Sequence, residues 1–593
     1  MKVIVNRQCK SRFRGEIISS VMLILVLLHY TPCVFSQYSV ITDGTIVSAS
    51  GGTITLNNSL VNNGSFLNTD NKIVFTGADR TIGGTSPVSF DNLTIETGST
   101  TLVNTAGQTV SGILLCNGSL NAGGKMTLLS TATGTALIDG SGTGNVTGNI
   151  TMQRYLPSGF GYKYLSSPFQ DAVVDELGEE IDLLAAFSAI YSYDENRTSS
   201  GWVSYKNPSG LLNPLAGYSA NFGASTLPET AEIEGVVSNG NIEVTLYNHN
   251  QPYTKGFNLV GNPYPSPIDW DAPSGWTKDN IDNALYYFKA DTTDQYAGTY
   301  STYIAGMSSD GLADNIIPSM QGFFIHVSDG AWPVTGTLGV NNSVRITDMT
   351  GPYLKSAQAE TPAFIRFTAG FSDDSLSFDP LCIYFDAGAT NGFDGQYDAL
   401  KLFNTDTRVT NFYSFGNDSS RLSINALQLN DSSLFKVRLG LKTNREGYVI
   451  FSIKDVTGAF KYNYISITDV VTGMTQDLDN DRYYKVKLAP GNYQQRFFIN
   501  FSNLKTSVPE TVYDTEWFKI YSAHGVLKTE IDLPECRNGQ LRIYNLAGEN
   551  LYVQNIREPG YHEFNPAVAD GIYLVTFTSG QSRASGKVFI QNR

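Results

Sequence analysis

Apolar residues recur along this chain in short runs of four to eight, separated by Gly, Asn, Ser, Thr and Pro. That is the pattern of β-strands joined by turns. Residues 37–153 carry "GTITL", "KIVFTG", "FDNLTIETG" and "GILLCNGSLNAGGKMTLLS", with Asn-Gly turn signals at 63–64 and 117–118. Strands come every ten to twenty residues with no helical pattern between them. The spacing predicts a short parallel β-solenoid, with a sandwich as the alternative. Phe66, Ile73, Phe75, Phe90, Leu93, Ile95, Leu102, Val110, Leu114 and Leu120 are its expected inward residues.

Residues 154–350 are richer in aromatics and proline, as in "GFNLVGNPYPSPIDWDAPSGW" and "MQGFFIHV". Pro263, Pro265 and Pro267 argue against regular structure around them. One short helix is predicted, in "DAVVDELGEEIDLLAAF", where Val174, Leu177, Ile181 and Leu184 fall near helical spacing. Residues 351–505 read as a jelly-roll-like β-sandwich. "NLKTSVPETVYDTEW" is polar and aperiodic, which places a linker at 506–517. Residues 518–593 hold about seven short strands, enough for an Ig-like sandwich. The expected fold class is therefore mainly β: a solenoid-like region, two central sandwich-like regions and a C-terminal Ig-like sandwich.

The N-terminus adds a compartment. Lys2, Arg7, Lys10, Arg12 and Arg14 precede a mostly apolar stretch from Ile17 to Leu28, and Val34 and Ser36 suit a cleavage site before Gln37. Residues 1–36 are expected to be a secretory signal. The alternative, a lipidated Cys33, is disfavoured by Pro32 and Tyr30. No later run has the ~18 apolar residues of a membrane helix. Removing residues 1–36 takes away five basic residues and one acidic, leaving 35 basic against 54 acidic, a net charge of −19. That balance argues against nucleic acid and anionic membranes as partners. Cys116, Cys382 and Cys536 are odd in number and far apart, so they read as small buried hydrophobes, not a disulfide framework.

Three stretches carry a resemblance. "LRIYNLAGENLY" (541–552), "GIYLVTF" (571–577) and "KVFI" (587–590) follow one another in an order that resembles the type A C-terminal sorting domain of type IX secretion cargo. That family often opens on an Asn-Pro segment, where this chain has "YSAHGVLKTEI". The resemblance implies a β-sandwich that serves as an export address, with the type IX machinery as partner and a cell-surface or extracellular destination. It implies that Gly571, Tyr573, Lys587, Val588 and Ile590 belong to the signal. "GFNLVGNPYPSPIDW", "IPSMQGFFIHV", "ATNGFDGQYDALKL" and "RLSINAL" resemble segments of large surface proteins that carry such a domain. No chemistry attaches to them.

Candidate chemistry is thin. His249, His326, His524 and His562 share no metal-ligand spacing, and there is no HExxH and no G-x-S-x-G. Asp394 with Asp398, and Glu179 or Glu180 with Asp182, are the acid pairs that glycoside hydrolysis would need, although turn chemistry and a solvated helix face explain them as well. "DLDND" spaces Asp477, Asp479 and Asp481 like a Ca²⁺ loop, but Arg482 and Leu488 stand where an EF-hand has Gly and Glu. Those three, with Asp394 and Asp398, are the Ca²⁺ candidates; no other cofactor is expected. Trp270 and Trp276, flanking "DAPSG", are the candidate aromatic platforms for a glycan or surface-protein ligand. The function expected is a non-enzymatic surface adhesin or ligand-binding scaffold. The alternatives are a polysaccharide lyase or glycosidase on the solenoid, and a structural matrix component.

Overall fold

The computed structural model describes residues 38–347, 362–428, 434–457, 464–478, 483–502, 517–523, 526–533, 538–580 and 582–590. The expected signal, most of the linker, Asp479, Asp481, His524 and Cys536 lie outside them. Two compact units are present, Met1–Lys505 and Thr506–Arg593. The chain is almost entirely β, and among the described residues no helix is long and apolar enough to cross a membrane.

The first part of the larger unit is a three-sided parallel solenoid with coils about 20 residues long. Parallel register puts like residues over like. Ile54, Ile73, Leu93, Leu114 and Ile138 form one column, and Phe90, Val110, Leu128 and Met152 another. These columns are the core, and they explain why the strands can be so short: each is stabilised by the coil above and below. Eight of the ten expected inward residues are buried, and Phe66 is half-buried. Leu102 is 41% exposed, contrary to expectation. Strand Thr100–Val103 alternates, and its inward positions are Thr101 and Val103, so Leu102 faces out.

Polar corners close the coils. Asn92 Oδ1 accepts the Ile113 N–H, and Gln108 Oε1 accepts the Val88 N–H, so side chains complete bonds that the backbone leaves open between coils. Gly144 is required at one corner. A Cβ there would sit 1.8 Å from the Gly118 carbonyl oxygen of the preceding coil. The last solenoid strand, Asn149–Leu156, is covered by the antiparallel strand Glu229–Val236, which ends the stack.

The middle part holds antiparallel sheets of four, five and three strands. The expected helix is absent. A single 3-10 turn, Val174–Leu177, replaces it. Val174, Leu177 and Ile181 are buried as helical spacing suggested, but Leu184 is 94% exposed. Gly178 and Asp182 interrupt the segment: the Asp182 carboxylate accepts the Leu184 N–H and turns the chain.

The "GNPYPSP" loop is buried, not loose. Asn262 Nδ2 donates to the carbonyls of Ser266, Ile317 and Pro318 at 2.8–3.0 Å, and its Oδ1 accepts the Tyr264 N–H. Prolines remove N–H donors, and one asparagine side chain satisfies much of what remains. Pro265 O also accepts the Ile138 N–H at 2.8 Å, tying this loop to the solenoid.

The third part is one eleven-stranded sheet. It folds over so that its halves face each other. Phe451 meets Phe497 at 4.7 Å between ring centroids, and Phe385 meets Phe501 at 5.6 Å. The two layers of the expected sandwich are thus continuous. The smaller unit is a seven-stranded sandwich, with sheets of three and four strands over a core that includes Phe518, Leu541, Val575, Phe577 and Ile590.

Candidate functional site

The two tryptophans are not a platform. Trp270 is 1% exposed and packs with Tyr264, Ile268 and Phe323. Trp276 is half-buried and meets Trp270 edge-on at 4.7 Å. Both indole N–H groups donate to backbone carbonyls, of Asn283 and Asp269. Lys278 Nζ lies 3.6 Å from the Trp270 ring centroid, and burial pushes this amine down to about 8. The cause of the misreading is strand pairing. Trp276–Asp279 joins the strand Val334–Val340, which draws the loop inward. Trp270 therefore offers no face for a sugar to stack on, and Trp276 is only partly exposed.

The acid pair Asp394 and Asp398 is close in space but not poised for hydrolysis. Asp398 is 1% exposed. Its Oδ2 accepts the Asp394 N–H at 2.8 Å and its Oδ1 accepts the Ala426 N–H at 2.7 Å. Burial pushes its carboxyl up to about 7. Asp394 Oδ1 accepts the Gln396 N–H. The two carboxylates thus fasten a turn and a strand. Between them, Gly395 sits so close to Asp282 that a Cβ would lie 2.4 Å from Oδ1. Asp282 in turn holds His326 Nδ1 at 2.5 Å and the Ser328 hydroxyl at 2.6 Å. The "NGFDGQYDALKL" segment therefore docks the third part of the chain on the second. The glycine between two acids was the signal for this, and sequence reading took it only as a turn.

Of the other candidates, Asp477 ends the strand Met474–Asp477 and pairs with Ser466. Glu179 and Asp182 are exposed, and Glu180 accepts the Glu232 N–H. His249 bonds Glu195 at 2.7 Å, and His562 bonds the Glu558 carbonyl. Cys116 and Cys382 are buried free thiols, pushed up to about 11 and about 12 by burial. Among the described residues, no group of three or more His, Cys, Asp or Glu is placed to hold a metal ion.

Glu180 carries a pH prediction. Burial pushes it up to about 7, and its Oε2 is buried without a partner. A free Glu deprotonates near 4.5. Between these values the folded chain holds a proton that the unfolded chain has lost, so stability falls as pH rises through the window. Glu180→Gln keeps the acceptor for Glu232 and stays neutral. Its melting temperature is expected to exceed that of the wild type at pH 8 and to match it near pH 4; equal shifts at both values would refute this.

The residues of the expected sorting signal lie on one hairpin, Gly571–Ser579 with Ser582–Ile590. Gly571 pairs with Ile590, Tyr573 with Val588, and Leu574 with Lys587. Tyr573 and Ile590 point into the core, and the Tyr573 hydroxyl donates to Ala569 O at 2.6 Å. On the opposite face Ile572 and Phe589 are half or more uncovered, at 50% and 57%.

A groove of about 360 Å³ opens beside strand Leu434–Thr443, lined by Lys436 and Arg438 and, from the core side, by Leu427, Phe435 and Val437, a size that suits a small ligand. Sequence reading missed it. Arg438 and Lys436 lie two apart on strand Leu434–Thr443 and so share a face. The Arg438 guanidinium sits 3.8 Å from the Phe415 ring centroid, and Lys436 Nζ sits 4.0 Å from that of Phe498. Asn391, Asn417 and Ser419 form the polar wall. Charges that share one face of a strand with aromatics on its neighbours become a site only when register is known, and no local pattern gives that.

The described residues form an almost all-β chain of several sheets. Residues 46–501 match one family model, "Domain of unknown function (DUF8693)", and the chain belongs to that family. Over 370 residues it is 23% identical to the minor fimbrium subunit Mfa5 of Porphyromonas gingivalis. The match takes in 57% of this chain and 27% of that protein. Among solved structures, a two-domain fibronectin type III segment of chicken tenascin aligns over 25% of this chain and 95% of its own, at 11% identity and a TM-score of 0.11. The BSP domain of a biofilm-associated protein aligns over 74% and 92%, at 9% identity and a TM-score of 0.11. TM-scores that low define no shared fold.

Proposed function

We propose that this chain is an exported, surface-displayed β-scaffold, an adhesin or ligand-binding subunit delivered by its C-terminal sandwich. The observation that carries the reading is the similarity to a fimbrial subunit over more than half of the chain. The seven-stranded sandwich at 518–593 supports the sorting role, because the resemblance to type IX cargo calls for such a domain. In this reading residues 1–36 are a leader, 37–153, 154–350 and 351–505 are the displayed body, and 506–517 link it to the address. The type IX machinery is the partner in export, and a glycan or a neighbouring surface protein is the partner at the surface. Rigid sheets hold the loops and grooves that make contact, and the chain carries out no reaction.

The enzyme alternative has little to stand on, since Asp394, Asp398 and Glu180 are engaged in holding backbone N–H groups. Incubating the purified protein with a panel of polysaccharides tests it. No new reducing ends and no unsaturated products are expected; turnover of any polymer would make the chain an enzyme. A matrix component would instead self-associate without any soluble ligand.

A further inference from the structure

We propose that the groove beside Lys436 and Arg438 binds a carboxylate-bearing sugar chain. This deepens the surface-scaffold reading and rests on it. The chain carries 55 acidic residues against 40 basic ones, and several of its cations on this part of the fold are spent on carboxylates. Arg408 pairs with Asp291 and Asp406, and Arg496 pairs with Asp469. Among the described residues, Lys436 and Arg438 have no carboxylate partner. Each lies over an aromatic ring, which positions a cation while leaving its hydrogen-bond donors free for a ligand. Arg438 spends one donor on Ser419 Oγ at 3.3 Å. Asp418, on the lining segment, has both oxygens engaged, accepting the N–H groups of Phe393 and Ser420.

Two features choose the ligand class. The ring faces of Phe415 and Phe498 are covered by the cations, so stacking on a neutral sugar is not how this groove would bind. Anion recognition is, with Arg438 suited to a carboxylate fork. The protein's overall negative charge repels densely charged polymers such as nucleic acid. A chain with about one carboxylate per sugar and many hydroxyls suits two cations beside the amides of Asn391 and Asn417.

The test uses the purified full-length protein with polygalacturonate and sialyllactose as uronate and sialate probes. Dextran serves as the neutral control and poly-glutamate as the acidic peptide control. Binding is read by calorimetry at low and high salt. The expected result is salt-sensitive binding to one of the two acidic sugars and none to dextran. The double variant Lys436→Gln/Arg438→Gln should bind at least about tenfold more weakly. Its melting temperature should fall only slightly, because Lys436 is exposed and Arg438 only half-buried. Binding to neither acidic sugar, equal binding to dextran, stronger binding to poly-glutamate, or an unaffected double variant would each overturn the proposal. Purified protein needs no export step, so a failure here would leave the surface-display reading standing.

Discussion

Lys401→Met is expected to lower the stability of the larger unit by about 3–5 kcal/mol, read as a shift of the denaturant midpoint. Lys401 and Asp379 form an ion pair of 2.6 Å, with side chains 3% and 1% exposed. The Asp379 carboxylate also accepts from Asn404 Nδ2 at 2.9 Å and from the Phe412 N–H at 2.7 Å. Three donors on one buried carboxylate make it a junction between strand Asp379–Phe385, strand Asn411–Phe415 and the 401–404 segment. Methionine fills much the same volume but leaves the charge without its cation. The penalty is that of a buried, uncompensated carboxylate, which exceeds the net worth of the pair. Adding Asp379→Asn to the methionine variant should recover part of the loss, because it removes the orphaned charge while the amide oxygen still accepts one N–H. A single variant within about 0.5 kcal/mol of the wild type would show that Asp379 reaches water.

Phe577→Ala is expected to unfold the C-terminal sandwich altogether while the larger unit melts as before. Phe577 is fully buried, stacks on Phe518 at 5.7 Å and meets Trp517 edge-on at 6.2 Å. Deleting such a ring costs about 3–5 kcal/mol. A domain of this size draws about that much from its whole core. Scanning calorimetry should show one transition lost, and limited proteolysis should remove residues after 517 from the variant only. Survival of both transitions would mean that other contacts carry the domain. If the sandwich is the address, the same variant also loses export.

Much of the fold was legible because strands announce themselves by alternation and by the turns between them. The solenoid columns came through in eight of ten positions, since stacked coils repeat a local pattern. Leu102 failed because Thr101, a polar residue, holds the inward slot. The helix expected at 171–187 does not form, because Gly178 and Asp182 interrupt a segment whose apolar spacing is otherwise helical. The candidate sites were far less legible. Tryptophans in a Pro-rich loop look exposed until a strand 60 residues away is known to pair with one of them. The Asp394–Asp398 pair looks like chemistry until the Ala426 N–H, from another strand, is seen to occupy it. The groove cations, too, gained their meaning from long-range pairing, which a single sequence does not display.

In the proposed function the C-terminal sandwich delivers the rest of the chain to the cell surface. The most direct test is protease accessibility of residues 38–502 on intact cells with a type IX system, comparing the wild type with Phe577→Ala and with a deletion of 518–593. Only the wild type is expected to be cut from outside, with both altered chains held in the periplasm. Surface-accessible deletion protein, or wild type protected until the cells are broken, would contradict it.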